Sequence, residues 1–306
     1  MLGEFALIDA IVAGLGDRAA GDWITLGPGD DAAVIAATSG LSQVASIDTL
    51  LPDVHFPVAA PPQLIGYRSL MVSFSDLAAM GAVPRYCLVS LSMDESQAAL
   101  GSAWVEALAQ GMATAARELG VYVCGGNLTR GPLNIAVSVH GEVEPQRLLL
   151  RTGGSPGLSL YVTGPLGAAA ACVRTGQMMP VEPAALTPLQ AAYYRPLARF
   201  DVPSLLISAA GGLDISDGLA QDLEHLCRAS GCGAALDSGA IPVALGAQLD
   251  DALFGGDDYE LLLASDLPLA GAHRIGYLTS ELGLRLDGEP LNVRGFDHFG
   301  DGESIR

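Results

Sequence analysis

The sequence predicts a mixed α/β (α+β) chain folded as two domains. Three observations point there. A chain of 306 residues, 50% of them hydrophobic, with a mean hydropathy of +0.38, can bury more than one core. Short apolar strands and helix-periodic segments follow one another along its length. A Gly-Pro-bearing stretch, "RLLLRTGGSPG" at 147–157, separates two such runs. The expected boundary gives an N-terminal domain of 1–148 and a C-terminal domain of 149–306.

The elements follow in order. "GPGDDAAVI" at 27–35 sets Asp30 and Asp31 between a Gly-Pro-Gly turn and an apolar run. Asp bonds its own backbone readily in turns, so this corner alone demands no function. "LSQVASIDTLLPDVHF" reads as a strand over Val44–Ile47 that delivers Asp48 at its end, with Asp53 and His55 on the next loop. His55, beside Phe56 and Pro57, reads equally as a loop histidine satisfied by its neighbours. Pro61 and Pro62 open a helix on which Leu64, Tyr67, Leu70, Met71 and Phe74 repeat at helical spacing. Asp76 falls near its end, where the helix dipole and apolar neighbours make a carboxylate costly unless a cation or a buried Arg sits beside it.

Residues 96–119 read as one helix, followed by the strand "VYVCGGN", the turn "LTRGP" and the alternating strand "LNIAVSVHGEV". Beyond the boundary come a strand, "LSLYVTG", a Gly-rich turn and an apolar helix around Ala168–Arg174. "GLDISDGLAQDLEHLCRASG" reads as a short strand, a turn flanked by Asp214 and Asp217, and a helix. Ser216 or Asp217 is its expected cap, with Leu219, Leu223, Leu226 and Cys227 on one face. "LFGGDDYELLLAS" repeats the opening device, two glycines and then Asp257 and Asp258, entering an apolar strand.

Composition narrows the chemistry. The net charge of −19, from 34 acidic and 15 basic residues, argues against nucleic acid or an anionic membrane as partner. No apolar run approaches the ~18 residues of a membrane span, so a soluble, cytoplasmic chain is expected. Five cysteines, an odd number without zinc spacing, read as buried free thiols. Every basic residue is Arg and none is Lys, which removes the Walker A loop, the protein-kinase lysine and any lysine Schiff base. Phosphate chemistry in such a chain needs metal ions for much of its positive charge. Acid-bearing corners beside glycine turns suit several Mg²⁺ ions, which take hard oxygen ligands and bridge carboxylates to phosphates. A non-catalytic metal-binding module would explain the acids but not the glycine turns.

At these residues the chain resembles the thiamine-monophosphate kinase family, of the aminoimidazole ribonucleotide synthetase superfamily. "GPGDDAAV", "SIDTL-PDVHF", "SDLAAMGA", "GGN-TRGPL", "LRTGGSPG", "DISDGLAQDL", "GGDDYELL" and "GFDHF" stand in the family's order, and with "GEF-LI" the likeness runs from Gly3 to Phe299. It implies two α/β domains of the aminoimidazole ribonucleotide synthetase-like fold. The N-terminal domain would pair with its twin in a homodimer through a β-barrel-like interface, and the C-terminal domain would close the nucleotide cleft. It also implies ATP and thiamine monophosphate as substrates and direct transfer of the γ-phosphoryl group.

Roles carry over where motifs match. The resemblance makes Asp31, Asp48, Asp76, Asp214 and Asp217 Mg²⁺ ligands, with Ser46 as a further one. It brings Gly126, Asn127, Arg151 and Ser216 to ATP, and His55, Asp257 and Phe296 to thiamine phosphate. An acid and an aromatic ring are sensible partners for a cationic thiazolium. Arg130 and Arg151 read also as ion-pair partners of the many acids, and Phe296 as a packing residue. Two positions depart from the pattern. Ile47 stands where the family has Thr, leaving a backbone carbonyl for a metal, and Asn127 stands where it has Asp, which removes a carboxylate from one metal site.

Overall fold

The computed structural model describes residues 4–26, 34–94, 102–179 and 181–295, so Asp30, Asp31 and Phe296 lie outside the described residues. The elements run α1 (Glu4–Leu15), β1 (Ile24–Leu26), β2 (Val34–Ile35), β3 (Ser42–Leu50), α2 (Pro62–Ala79), β4 (Val83–Met93), α3 (Ser102–Leu119), β5 (Tyr122–Arg130) and β6 (Asn134–Val143). They continue with β7 (Ser159–Val162), α4 (Ala168–Arg174), α5 (Pro188–Tyr194), α6 (Pro203–Ser208), β8 (Gly211–Asp214), α7 (Leu219–Ser230), β9 (Gly233–Leu236), α8 (Leu249–Phe254), β10 (Leu261–Ser265), β11 (His273–Thr279), β12 (Leu284–Leu286) and β13 (Glu289–Pro290). Two compact units result. One is Met1–Leu77, Ala82–Pro145 and Val181–Ala185, and the other Ala78–Gly81, Gln146–Pro180 and Leu186–Arg306.

The first unit is built on a four-stranded sheet in the order β3-β6-β4-β5, with β6 antiparallel to both neighbours and β5 parallel to β4. Alternation in β6 buries Ile135, Val137 and Val139 and leaves Ala136, Ser138 and His140 half-exposed. The sheet is open among the described residues, and β3 and β5 are its edges. Beneath it α2 and α3 approach backbone to backbone. A methyl built on Gly66 would lie 2.0 Å from the Leu108 carbonyl oxygen, and one on Gly111 2.0 Å from that of Gln63.

The second unit has a seven-stranded sheet in the order β13-β12-β9-β11-β7-β10-β8, antiparallel except for β12 beside β9. It is covered on both faces, which explains the unbroken apolar run in β10. Leu262 and Ala264 join a core with Leu223 and Leu226 of α7, whereas Leu261 and Leu263 join Tyr161 and Leu205 on the opposite side. All five cysteines are buried and free.

Two local expectations change. β5 runs through the expected turn as far as Arg130, because β4 offers it ladder partners up to Met93, and the chain reverses only at 131–133. Neither Ser216 nor Asp217 caps α7. Its N-cap is Gly218 at φ 114, with no side-chain bond, and Asp222 in the first turn reaches back to the amides of Ser216, Asp217 and Gly218 ahead of the helix.

The α2/α3 contact yields a test. Gly66→Ala must push two backbones apart and is expected to cost about 3 kcal/mol, near the upper end for overpacking. Gly120→Ala, at φ 70 with nothing within 4 Å, meets backbone strain alone and should cost only ~1 kcal/mol. Urea midpoints of the two variants check the order.

Candidate active site

In the first unit, alternation along β3 puts Ser46 and Asp48 on the side of buried Val44 and Leu50. Asp76, in the last turn of α2, reaches the same place, and Ser46 Oγ donates to Asp76 Oδ2 at 2.5 Å. Ser73, one turn earlier, lies beside Asp48, and its hydroxyl donates to the Ser69 carbonyl at 2.9 Å. Burial, and then the neighbouring Asp76 charge, push the Asp48 carboxyl up to about 6, against the opposing effect of Ser73. A second carboxylate is thus forced into a setting that resists it.

Register separates the remaining candidates of this unit. Asp48, Val137, Val89 and Gly126 form one row across the sheet, and Thr49, Ala136, Ser90 and Asn127 the next. Successive rows face opposite ways. Asn127 therefore lies on the face opposite Asp48, as does Ile47, whose side chain is 66% exposed. Gly126 belongs to the Asp48 row, where a methyl would lie 1.8 Å from the Val89 carbonyl oxygen, so only glycine fits.

His55 sits on the loop after β3, beyond Asp53 at φ 57. Its Nδ1 accepts from the Leu51 amide at 2.9 Å, which leaves the proton of the neutral ring on Nε2. Its carbonyl accepts from Nε of Arg68, a side chain only 1% exposed. The loop is locally satisfied, and that same bonding fixes the ring.

In the second unit, β8 ends on Asp214, 5% exposed, and the turn to α7 carries Ser216 and Asp217. Asp222 reaches back from the helix so that its Oδ2 accepts from the amides of Ser216, Asp217 and Gly218 at 3.0, 3.0 and 3.1 Å. Burial, then the charges of Asp217 and Asp214, push its carboxyl up to about 8, while the amide bonds work the other way. Asp217, Asp222 and His225 each bring a ligand atom within 4.8 Å of the others. Asp222 and His225 were not among the sequence candidates. The signal was an acid at an apolar helix position five residues after Asp217.

The second glycine-acid corner lies along this turn. The Asp257 amide donates to the Ser216 carbonyl at 2.9 Å and the Tyr259 amide to that of Ile215 at 2.8 Å. Gly256 and Gly218 are required by that approach, since methyls there would meet Ser216 O at 2.3 Å and Phe254 C at 2.9 Å. Asp257 and Tyr259 adopt positive φ of 68 and 53, and Tyr259 Oη donates to Asp257 Oδ1 at 2.8 Å. Asp258 turns inward, accepting from the Gly167 amide at 2.7 Å, while its Oδ2 is buried without a hydrogen-bond partner. Burial holds its carboxyl well above the usual range, against the Gly167 bond and helped by the charges of Glu260, Asp257 and Asp222. Arg151 is exposed, and its carbonyl accepts from Ser230 Oγ at 2.7 Å. The structure thus groups Ser46, Asp48 and Asp76 in one unit and Asp214, Ser216, Asp217 and Asp257 around a paired turn in the other. No helix of the described residues is long and apolar enough to cross a membrane.

Comparison with known proteins adds identity to this geometry. The family described as AIR synthase related protein, N-terminal domain, matches residues 29–143. The thiamine-monophosphate kinase of Salmonella typhimurium is 33% identical over 97% of this chain and 98% of its own. The crystal structure of thiamine-monophosphate kinase from Stenotrophomonas maltophilia superposes with a TM-score of 0.82 at 35% identity, covering 95% of this chain and 98% of that one. AaThiL complexed with AMPPCP and TMP gives 0.78 at 29% identity, covering 97% of each. With its fold, its acidic turns and its full-length likeness in agreement, the chain belongs to the thiamine-monophosphate kinase family.

Proposed function

We propose that this chain transfers the γ-phosphoryl group of ATP to thiamine monophosphate, giving thiamine diphosphate and ADP. The observation that carries the reading is the likeness over 97% of the chain to a kinase of that name, together with a structural relative that holds AMPPCP and TMP. The donor set suits Mg²⁺: a hydroxyl and carboxylates only, with Asp48 pushed up to about 6 by burial and by Asp76, the mark of a missing positive charge. In this reading Asp48 and Asp76 with Ser46 hold cations from the first unit and Asp214 and Asp217 from the second. Asp31 joins them, and Ile47 offers its carbonyl. Bound there, Mg²⁺ neutralises phosphate oxygens and favours the charge of phosphoryl transfer.

The chain's own groups then bind and orient. The backbone of Ser216 is tied to Asp222 and Asp257, which leaves its hydroxyl for the nucleotide. Arg151, Gly126 and Asn127 complete the ATP contacts, Asn127 through an amide that donates as well as accepts. His55 presents Nε2–H to the phosphate of the acceptor, and Asp257 and Phe296 meet the thiazolium. Transfer is in line and direct, since positioning and electrostatics do the work without a protein nucleophile. We place the chain in the cytoplasm as a homodimer.

Three outcomes test this. ³¹P NMR of the protein with ATP, Mg²⁺ and thiamine monophosphate should show thiamine diphosphate, whereas free phosphate alone would mark an ATPase. Asp76→Asn should retain the fold by circular dichroism and lower kcat about 10²-fold or more, because it removes charge from the phosphoryl site. Incubation with γ-³²P-ATP without acceptor should leave the protein unlabelled, and a trapped phosphoprotein would contradict direct transfer.

A further inference from the structure

The turn between β8 and α7 has an unusual support. α7 starts after Gly218, whose φ of 114 and proximity to Phe254 exclude a side chain, and the turn that precedes it directs the amides of Ser216, Asp217 and Gly218 to one point. Asp222, one turn into the helix and 3% exposed, reaches back to them, and its Oδ2 alone collects all three N–H groups. Three donors crowd Oδ2, so a cation at that atom would have to displace them, whereas Oδ1 accepts from none of these amides and is the atom through which Asp222 would meet a cation if it were a ligand. Converging amide dipoles also provide the positive partner that a buried acid needs. The turn is held from its other side by the Asp257 and Tyr259 amides, and Gln221 Nε2 reaches Asp217 Oδ2 at 3.2 Å.

We propose that Asp222 is a positioning residue for Asp217, fixing the turn through the amides of Ser216, Asp217 and Gly218 and leaving Asp214 and Asp217 as its cation ligands. The inference rests on the reading of those two acids as Mg²⁺ ligands. Asp222 acts through the backbone, so what it must offer is an acceptor oxygen, not a charge. Asn offers the same oxygen in the same place, whereas Ala offers none.

Mn²⁺ titration of the full-length protein, followed by electron paramagnetic resonance without nucleotide, separates the roles. An Asp76→Asn background removes the competing site of the first unit. Asp222→Asn should change the Mn²⁺ Kd by less than about twofold, while Asp222→Ala and Asp217→Asn should each raise it about tenfold or more, the range typical of lost outer support or a lost ligand. Weakening by Asp222→Asn equal to that by Asp217→Asn would make Asp222 itself a ligand, and unchanged binding in Asp222→Ala would remove its positioning role. If the Ala variant does not fold, amide exchange of the parent decides. Protection at Ser216, Asp217 and Gly218 is expected, and exchange at free-peptide rates overturns the proposal. A protein that shows the Mn²⁺ pattern but makes no thiamine diphosphate refutes the proposed function and leaves Asp222 in place. One that binds no Mn²⁺ at millimolar concentration refutes both.

Discussion

Carboxylates drawn out of water must be met by positive charge or by hydrogen-bond donors, and this requirement organises the chain. The chain has no lysine. Several arginines are committed elsewhere: Arg174 makes a two-pronged pair with Asp251, and Arg199 pairs with Asp201 and Glu260. At β3 and α2 the Ser46 hydroxyl provides part of the answer, and Asp48 still lies high, near 6. At the β8–α7 turn backbone amides provide another part. Hydroxyls and amides soften the repulsion between neighbouring acids without supplying a full charge, which is the state that the proposed divalent cation would complete.

Glycines make that state possible by letting main chain meet main chain. Gly218 and Gly256 allow the two acid corners of the second unit to lie against each other, so that the Asp257 and Tyr259 amides bond the carbonyls of Ser216 and Ile215 while Asp222 collects the amides of Ser216, Asp217 and Gly218. Gly66 and Gly111 do the same for α2 and α3, which sets the helix end that carries Asp76. Positive φ at Asp257 and Tyr259 is the local cost of that fit, of order 1–3 kcal/mol each, sustained because both residues are bonded into the turn.

Much of this was legible in the sequence because it is local. Apolar alternation located β6, short apolar runs located β3 and β10, prolines located the start of α2, and glycine-acid pairs located both turns of the second unit. Long-range facts were not legible. That Asn127 shares a row with Ser90 and not with Asp48 depends on strand register, which no window of β5 reveals. The expected Ser216 or Asp217 cap failed because the tight approach to Phe254 demands glycine at the N-cap, and the amides of the turn are held instead by Asp222 from inside the helix. Asp222 was passed over although it stands beside the apolar face of its helix, because its burial and its three amides appear only in the fold.

The central claim is that these acids are incomplete without a divalent cation. Urea midpoints of the native protein and of Asp48→Asn, with and without millimolar Mg²⁺ at matched ionic strength, test it most directly, because a ligand of the folded state raises stability by RT ln(1 + [L]/Kd). Mg²⁺ should raise the native midpoint. Asp48→Asn, relieved of like-charge repulsion with Asp76, should be the more stable protein without Mg²⁺ and gain less from it. A native midpoint indifferent to Mg²⁺, or an Asn variant less stable than native in its absence, would contradict the account.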